Sequence, residues 1–159
     1  MKNVIKKMLL ITGVCSVIVI LFNYFSVYFA DFNLFAVTSY FFEQSPEVGV
    51  VFFPISFLAD IANALVWMFL MFVIPSFVAI VIFVFQLVSR LFQIGNVKKW
   101  KNTVSKILSY ISISIQILLS IYLILIFIST LNILLLVSCS AIITSVVLNI
   151  KELKKIKKI

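Results

Sequence analysis

Between Ile107 and Ile150 the chain runs for 44 residues without a charged side chain. A single straight helix of that length would reach about 66 Å, more than twice a hydrocarbon core of roughly 30 Å. The segment therefore has to fold back on itself. Its natural break is Ser129-Thr130-Leu131-Asn132, where three polar side chains compete for backbone hydrogen bonds and favour a turn. The pattern predicts two spans, about 107–128 and 132–150, packed as a tight helical hairpin.

Two more uncharged runs are long enough to cross a bilayer: Met8 to Ala30 and Ile61 to Ser89. The first follows a lysine-rich head, as a secretory signal does. It is too long for the apolar region of a cleaved signal, and Tyr28-Phe29-Ala30 is a poor small-residue cleavage site, so an uncleaved span at about 8–30 is expected. Ile11 to Cys15 is reminiscent of a lipoprotein box, but Val14 stands where Gly, Ala or Ser belongs. In the second run Pro75 removes a backbone donor and predicts a bend. Asp60, with Asn63, is placed to cap that helix at its N-terminus. A chain that is 64% hydrophobic and 11% charged cannot cover a water-facing surface. The expected fold class is an all-α integral membrane protein of four transmembrane helices, a single membrane domain over residues 1–159.

Charge orients the four spans. The thirteen basic residues fall in three clusters: Lys2/Lys6/Lys7, Arg90 to Lys106, and Lys151 to Lys158. Four of the five acids (Asp31, Glu43, Glu47, Asp60) share the one polar stretch without Lys or Arg. By the positive-inside rule both termini face the cytoplasm, as do the loop 90–106 and the tail 151–159, and segment 31–60 lies outside. That outer segment is rich in Phe and Tyr. A short interfacial helix over Asp31 to Glu43 and a re-entrant piece over Gly49 to Phe57 are expected there. A fifth span at about 47–66, which would move the loop 90–106 to the far side, is the alternative.

The hairpin carries the most interpretable side-chain pattern. Ser109, Ser112, Gln116 and Ser120 share one helical face, and Ser138, Ala141, Ser145 and Asn149 repeat the spacing on the return helix. Folding about 130–131 pairs Ser120 with Ala141, Gln116 with Ser145, and Ser112 with Asn149. Small residues admit close backbone approach and amides bond across helices in lipid, so this is either a packing seam or the lining of a pore. Weaker stripes run along Thr12, Ser16, Asn23, Ser26 and Ala30, and along Ser76, Ala79, Gln86 and Arg90. Asp60, the one carboxylate abutting a span, is also a candidate outer contact for an ion or partner.

Chemistry-bearing motifs are missing. The chain has no histidine, which excludes the usual zinc sites and His-based general base chemistry. Cys15 and Cys139 lie in apolar runs without a Cys or His neighbour at metal or redox spacing. No cofactor and no catalytic residue are expected, and no proton-coupling acid lies near a span midplane. The basic clusters flank spans and lack an aromatic or glycine-rich recognition pattern, so nucleic acid is not the expected partner. They favour anionic headgroups instead. Twelve lysines to one arginine, with abundant Ile, Phe and Asn, point to AT-rich bacterial, phage or mobile-element coding and to the bacterial cytoplasmic membrane. The expectation is a non-enzymatic component that self-associates into dimers or tetramers and binds a protein partner: an immunity factor, accessory subunit or sensor in a phage-related or phage-defence locus. A holin-like or depolarising pore former is the rival.

Overall fold

The computed structural model describes residues 2–28, 39–40, 43, 45–93 and 99–156. Its main elements are α1 (Lys2–Tyr28), α2 (Pro46–Met68), a π-helical segment (Phe69–Val73), α3 (Ile74–Leu91), α4 (Lys99–Thr130) and α5 (Ile133–Ile156). Four helical stretches are long and apolar enough to cross a membrane: Asn3–Val27, Gly49–Leu91, Lys99–Thr130 and Ile133–Lys154. The expected interfacial helix over Asp31 to Glu43 lies almost wholly outside the described residues.

Helices α1, α3, α4 and α5 close a ring in which α1 packs on α3 and α5, and α4 packs on the same two. Every adjacent pair is antiparallel. Along α1 and α3, Tyr24 stacks edge-on to Phe72 with ring centroids 5.8 Å apart, and Ser16 Oγ donates to the Ala79 carbonyl at 3.1 Å. On α1 and α5, Asn132 bonds the Ser26 carbonyl at 3.0 Å and Asn149 bonds Thr12 at 3.1 Å. Between α3 and α4, Tyr122 reaches Leu70 while Ser89 meets Ser105. This connectivity gathers Lys6, Arg90, Lys106 and Lys154 at one end of the bundle. The opposite end carries Tyr28 and the two-residue connection Leu131-Asn132.

That connection is built locally. Leu131 takes a left-handed conformation (φ 52°), which ends α4. Asn132 then caps α5, its Oδ1 accepting from the Leu134 N–H at 3.1 Å. The bundle interior has two apolar clusters. One, next to the basic end, joins Ile5 and Met8 to Ile113 and Leu153. The larger gathers Val19, Met71, Leu119, Leu123, Leu135 and Ile142 toward the other end.

Three expectations about the second span need correction. The helix does not start at residue 61; it begins at Pro46 and passes through the π segment into α3. Asp60 is therefore no N-cap. It sits well inside α2, only 2% exposed, and shares that helix's buried face with Gly49 and Ser56. Residues 49–57 form no re-entrant piece, because they belong to the same rod. The helix over 47–66 that the five-span alternative required does exist, but no turn separates it from α3. The continuous helical stretch Gly49–Leu91 is apolar enough to cross a membrane and, at about 65 Å if straight, longer than one crossing needs.

Pro75 acts one turn earlier than a simple kink would. Lacking an N–H, it leaves the carbonyls before it short of donors, and the helix widens over Phe69–Val73. The Ile74 N–H bonds the Phe69 carbonyl instead of that of Leu70. Leu70 then has neither its α-type donor nor, five residues on, any donor at all. The Tyr122 hydroxyl supplies one at 2.8 Å.

Candidate functional site

The polar residues of the bundle converge between its two apolar clusters. On α1, Thr12 lies between Met8 and Cys15; on α4, Gln116 lies between Ile113 and Leu119; on α5, Ser145 and Asn149 lie between Ile142 and Leu153. The first residue of α1 and α4 and the last of α5 belong to the cluster near the basic end, the others to the larger one. Helical periodicity thus places one polar layer of three helices at a common height.

Asn149 is its hub. Its Nδ2 lies 3.1 Å from Thr12 Oγ1, 3.3 Å from Ser145 Oγ and 3.4 Å from Gln116 Oε1, so two N–H bonds serve three acceptors. Gln116 Nε2 reaches Thr12 Oγ1 at 3.5 Å. The amide of the return helix therefore meets Gln116 rather than Ser112. Ser112 turns to α3 and donates to the Ile82 carbonyl at 3.4 Å. Ser120 bonds the Ile117 carbonyl within its own helix, while Cys139 Sγ approaches the Ser120 carbonyl at 3.7 Å. Ala141 is half-buried and packs against the larger apolar cluster. The two hairpin helices are thus rotated and shifted relative to the pairing expected from folding about 130–131.

Toward the basic end the polar lining continues along α3 and α4. Ser89 and Ser105 exchange hydroxyl-to-carbonyl bonds of 2.9 Å in both directions, and Ser109 Oγ lies 3.0 Å from Ser89 Oγ. Such reciprocal bonds need two backbones in close approach, which serine allows. Periodic spacing would have extended the α4 stripe back to Ser105. Ser89, by contrast, stood outside the α3 stripe read from the sequence. Tyr122 carried no sequence signal, since its partner exists only because Pro75 displaces the helix register.

Among the described residues no carboxylate, lysine or arginine enters this layer, so its chemistry there is neutral hydrogen bonding. The cavity beside it, lined by Thr12, Ser16, Ala79, Ile82, Gln116 and Ile142 among others, measures about 10 Å³. That is room for about one water. Above it, Val19, Leu119, Leu123, Leu135 and Ile142 close the bundle. Asn23, Gln86 and Gln93 are fully buried, and among the described residues their amide groups find no hydrogen-bond partner.

Outside the bundle, α2 makes extensive contact only with the π segment that continues it, among the described residues. Val50, Val51, Ile55, Leu58, Leu65 and Val66 are all more than half exposed along its length. Comparison with protein-family models, curated proteins and solved structures finds no match.

Proposed function

We propose that the protein is a small, non-enzymatic component of a bacterial cytoplasmic membrane that binds a protein partner and associates with further copies of itself. Both termini and the Arg90–Lys106 loop lie in the cytoplasm, and the acid-bearing segment lies outside. The single observation that carries this reading is the contrast between a narrow interior and an apolar arm. The cavity beside the polar layer has room for about one water and aliphatic clusters pack on either side of the layer, while α2 presents branched aliphatic side chains away from the bundle. A narrow, closely packed core suits a scaffold better than a conduit, and an arm set apart from its own bundle suits recognition. Basic residues collected at one end of four antiparallel helices agree with the sidedness rule. An immunity factor, an accessory subunit or a membrane sensor of a phage-defence locus are the settings that fit this size and composition.

Expression of the full chain with membrane potential followed by a fluorescent dye tests the proposal. The expected result is an unchanged potential together with co-purification of a second protein, lost when Leu58 and Leu65 are replaced by Ser. Rapid depolarisation on expression, abolished by Gln116→Leu at unchanged protein level, would favour the pore former instead.

A further inference from the structure

At the basic end, a groove of about 270 Å³ opens between α4 and α5, lined by Tyr110, Ile113, Ile150, Leu153 and Lys154. Its floor is apolar and firmly held, since Ile113 and Leu153 are buried against Ile5 and Met8. Its rim is polar: Lys154 is exposed, Tyr110 is about half exposed, and both line the groove. Lys106 lies one turn before Tyr110 on the same face of α4. An aliphatic slot that ends at an ammonium and a phenol matches the division of a phospholipid into acyl chain and phosphate. Tyrosine at this height is also the usual occupant of the membrane–water boundary.

We propose that this groove is a binding site for one anionic phospholipid. The acyl chain lies over Ile113, Ile150 and Leu153, and the phosphodiester accepts hydrogen bonds from Lys154 and Tyr110. Charge selects the headgroup. Lys154 lines the groove and Lys106 lies one turn from Tyr110, and a cation facing the headgroup favours anionic over zwitterionic lipid. The groove's volume, equal to roughly nine waters of liquid, accommodates part of one chain rather than a whole lipid, so the site grips the lipid at its headgroup end. The proposal is independent of what α2 binds and of which side of the membrane the basic end faces.

Native mass spectrometry of the full chain in mild detergent tests it, with dioleoylphosphatidylglycerol and dioleoylphosphatidylcholine as matched probes. Retention of one phosphatidylglycerol per chain is expected, with phosphatidylcholine held about fivefold less. Lys154→Gln should lower phosphatidylglycerol retention by about fivefold, the effect of one headgroup-facing cation, and Lys154→Arg should restore it. Ile150→Trp, which fills the slot from a partly exposed position, should abolish retention with every lysine in place. Lys101→Gln removes an equal charge outside the groove and should leave retention unchanged. Equal retention of both lipids, equal losses in Lys101→Gln and Lys154→Gln, or full retention in Ile150→Trp with its helical circular dichroism intact would each overturn the proposal.

Discussion

Helices α2 and α3 are two halves of one continuous helical stretch and comparably apolar, yet among the described residues only α3 packs along its length against the bundle. Along α3 the small and polar residues Ser76, Ala79, Gln86 and Ser89 line up on one face, and that face is buried against α1 and α4. Along α2, aliphatic and aromatic side chains spread around the helix, and its buried positions are Gly49, Ser56 and Asp60. In lipid, apolarity qualifies a helix to enter the membrane but gives it no reason to meet another helix, since the tails are equally apolar. Association follows small residues and hydrogen-bonding groups gathered on one side. The stretch thus carries one segment that builds the bundle and one that presents branched aliphatic side chains away from it.

A matched pair of substitutions offers the sharpest way to break this contrast. Ala79 is 2% exposed and its carbonyl accepts from Ser16, whereas Ala62 is exposed on α2. Ala79→Leu forces extra methylenes between α1 and α3 and should cost about 1–3 kcal/mol. Ala62→Leu should stay within about 0.5 kcal/mol. Thermal unfolding in detergent measures both. Equal losses would mean that α2 is packed as tightly as α3, and the partner-binding reading of the arm would fall with that result.

The next largest effect belongs to the polar layer. Asn149→Leu removes the donor shared by Thr12, Gln116 and Ser145 and should destabilise the bundle by about 0.6–2 kcal/mol. The corresponding change on the arm, Asn63→Leu at an exposed position, should stay within about 0.5 kcal/mol. A Thr12→Val substitution sharpens the test. Because Thr12 and Asn149 share one bond, the double variant should lose less than the two single losses added together. Strict additivity would show that the layer contributes packing alone.

Much of this is legible in the sequence alone. The uncharged runs point to four long apolar helices because charge exclusion and span length are properties of contiguous sequence. The stripes Ser112–Gln116–Ser120 and Thr12–Ser16 were readable because helical periodicity is local. What Gln116 would meet was not, since the rotation of α5 about its axis depends on all four helices together. A two-helix hairpin considered alone pairs Ser112 with Asn149, but the presence of α3 draws Ser112 to Ile82 and the presence of α1 draws Asn149 to Thr12. Asp60 misled for a related reason. A carboxylate ahead of an apolar run usually marks a helix start, yet the helix had already begun at Pro46, where proline is at home in a first turn.

The joint between the two halves supplies the smallest and most specific prediction. If Pro75 widens the helix and Tyr122 satisfies the Leu70 carbonyl that results, the two residues act through one backbone oxygen. Tyr122→Phe should then cost about 0.5–1.5 kcal/mol, the net worth of a hydrogen bond. In a Pro75→Ala background a donor returns to the backbone. The Ile74 N–H can revert to the Leu70 carbonyl, and loss of the Tyr122 hydroxyl should become nearly silent. Unfolding of the four species in a double-variant cycle gives the coupling directly, and amide exchange over 69–75 should slow when alanine replaces Pro75. If Tyr122→Phe costs the same in both backgrounds, the phenol is merely a packed ring. The break between bundle and arm would then belong to Pro75 alone, with α4 holding no grip on the point where the rod leaves the bundle.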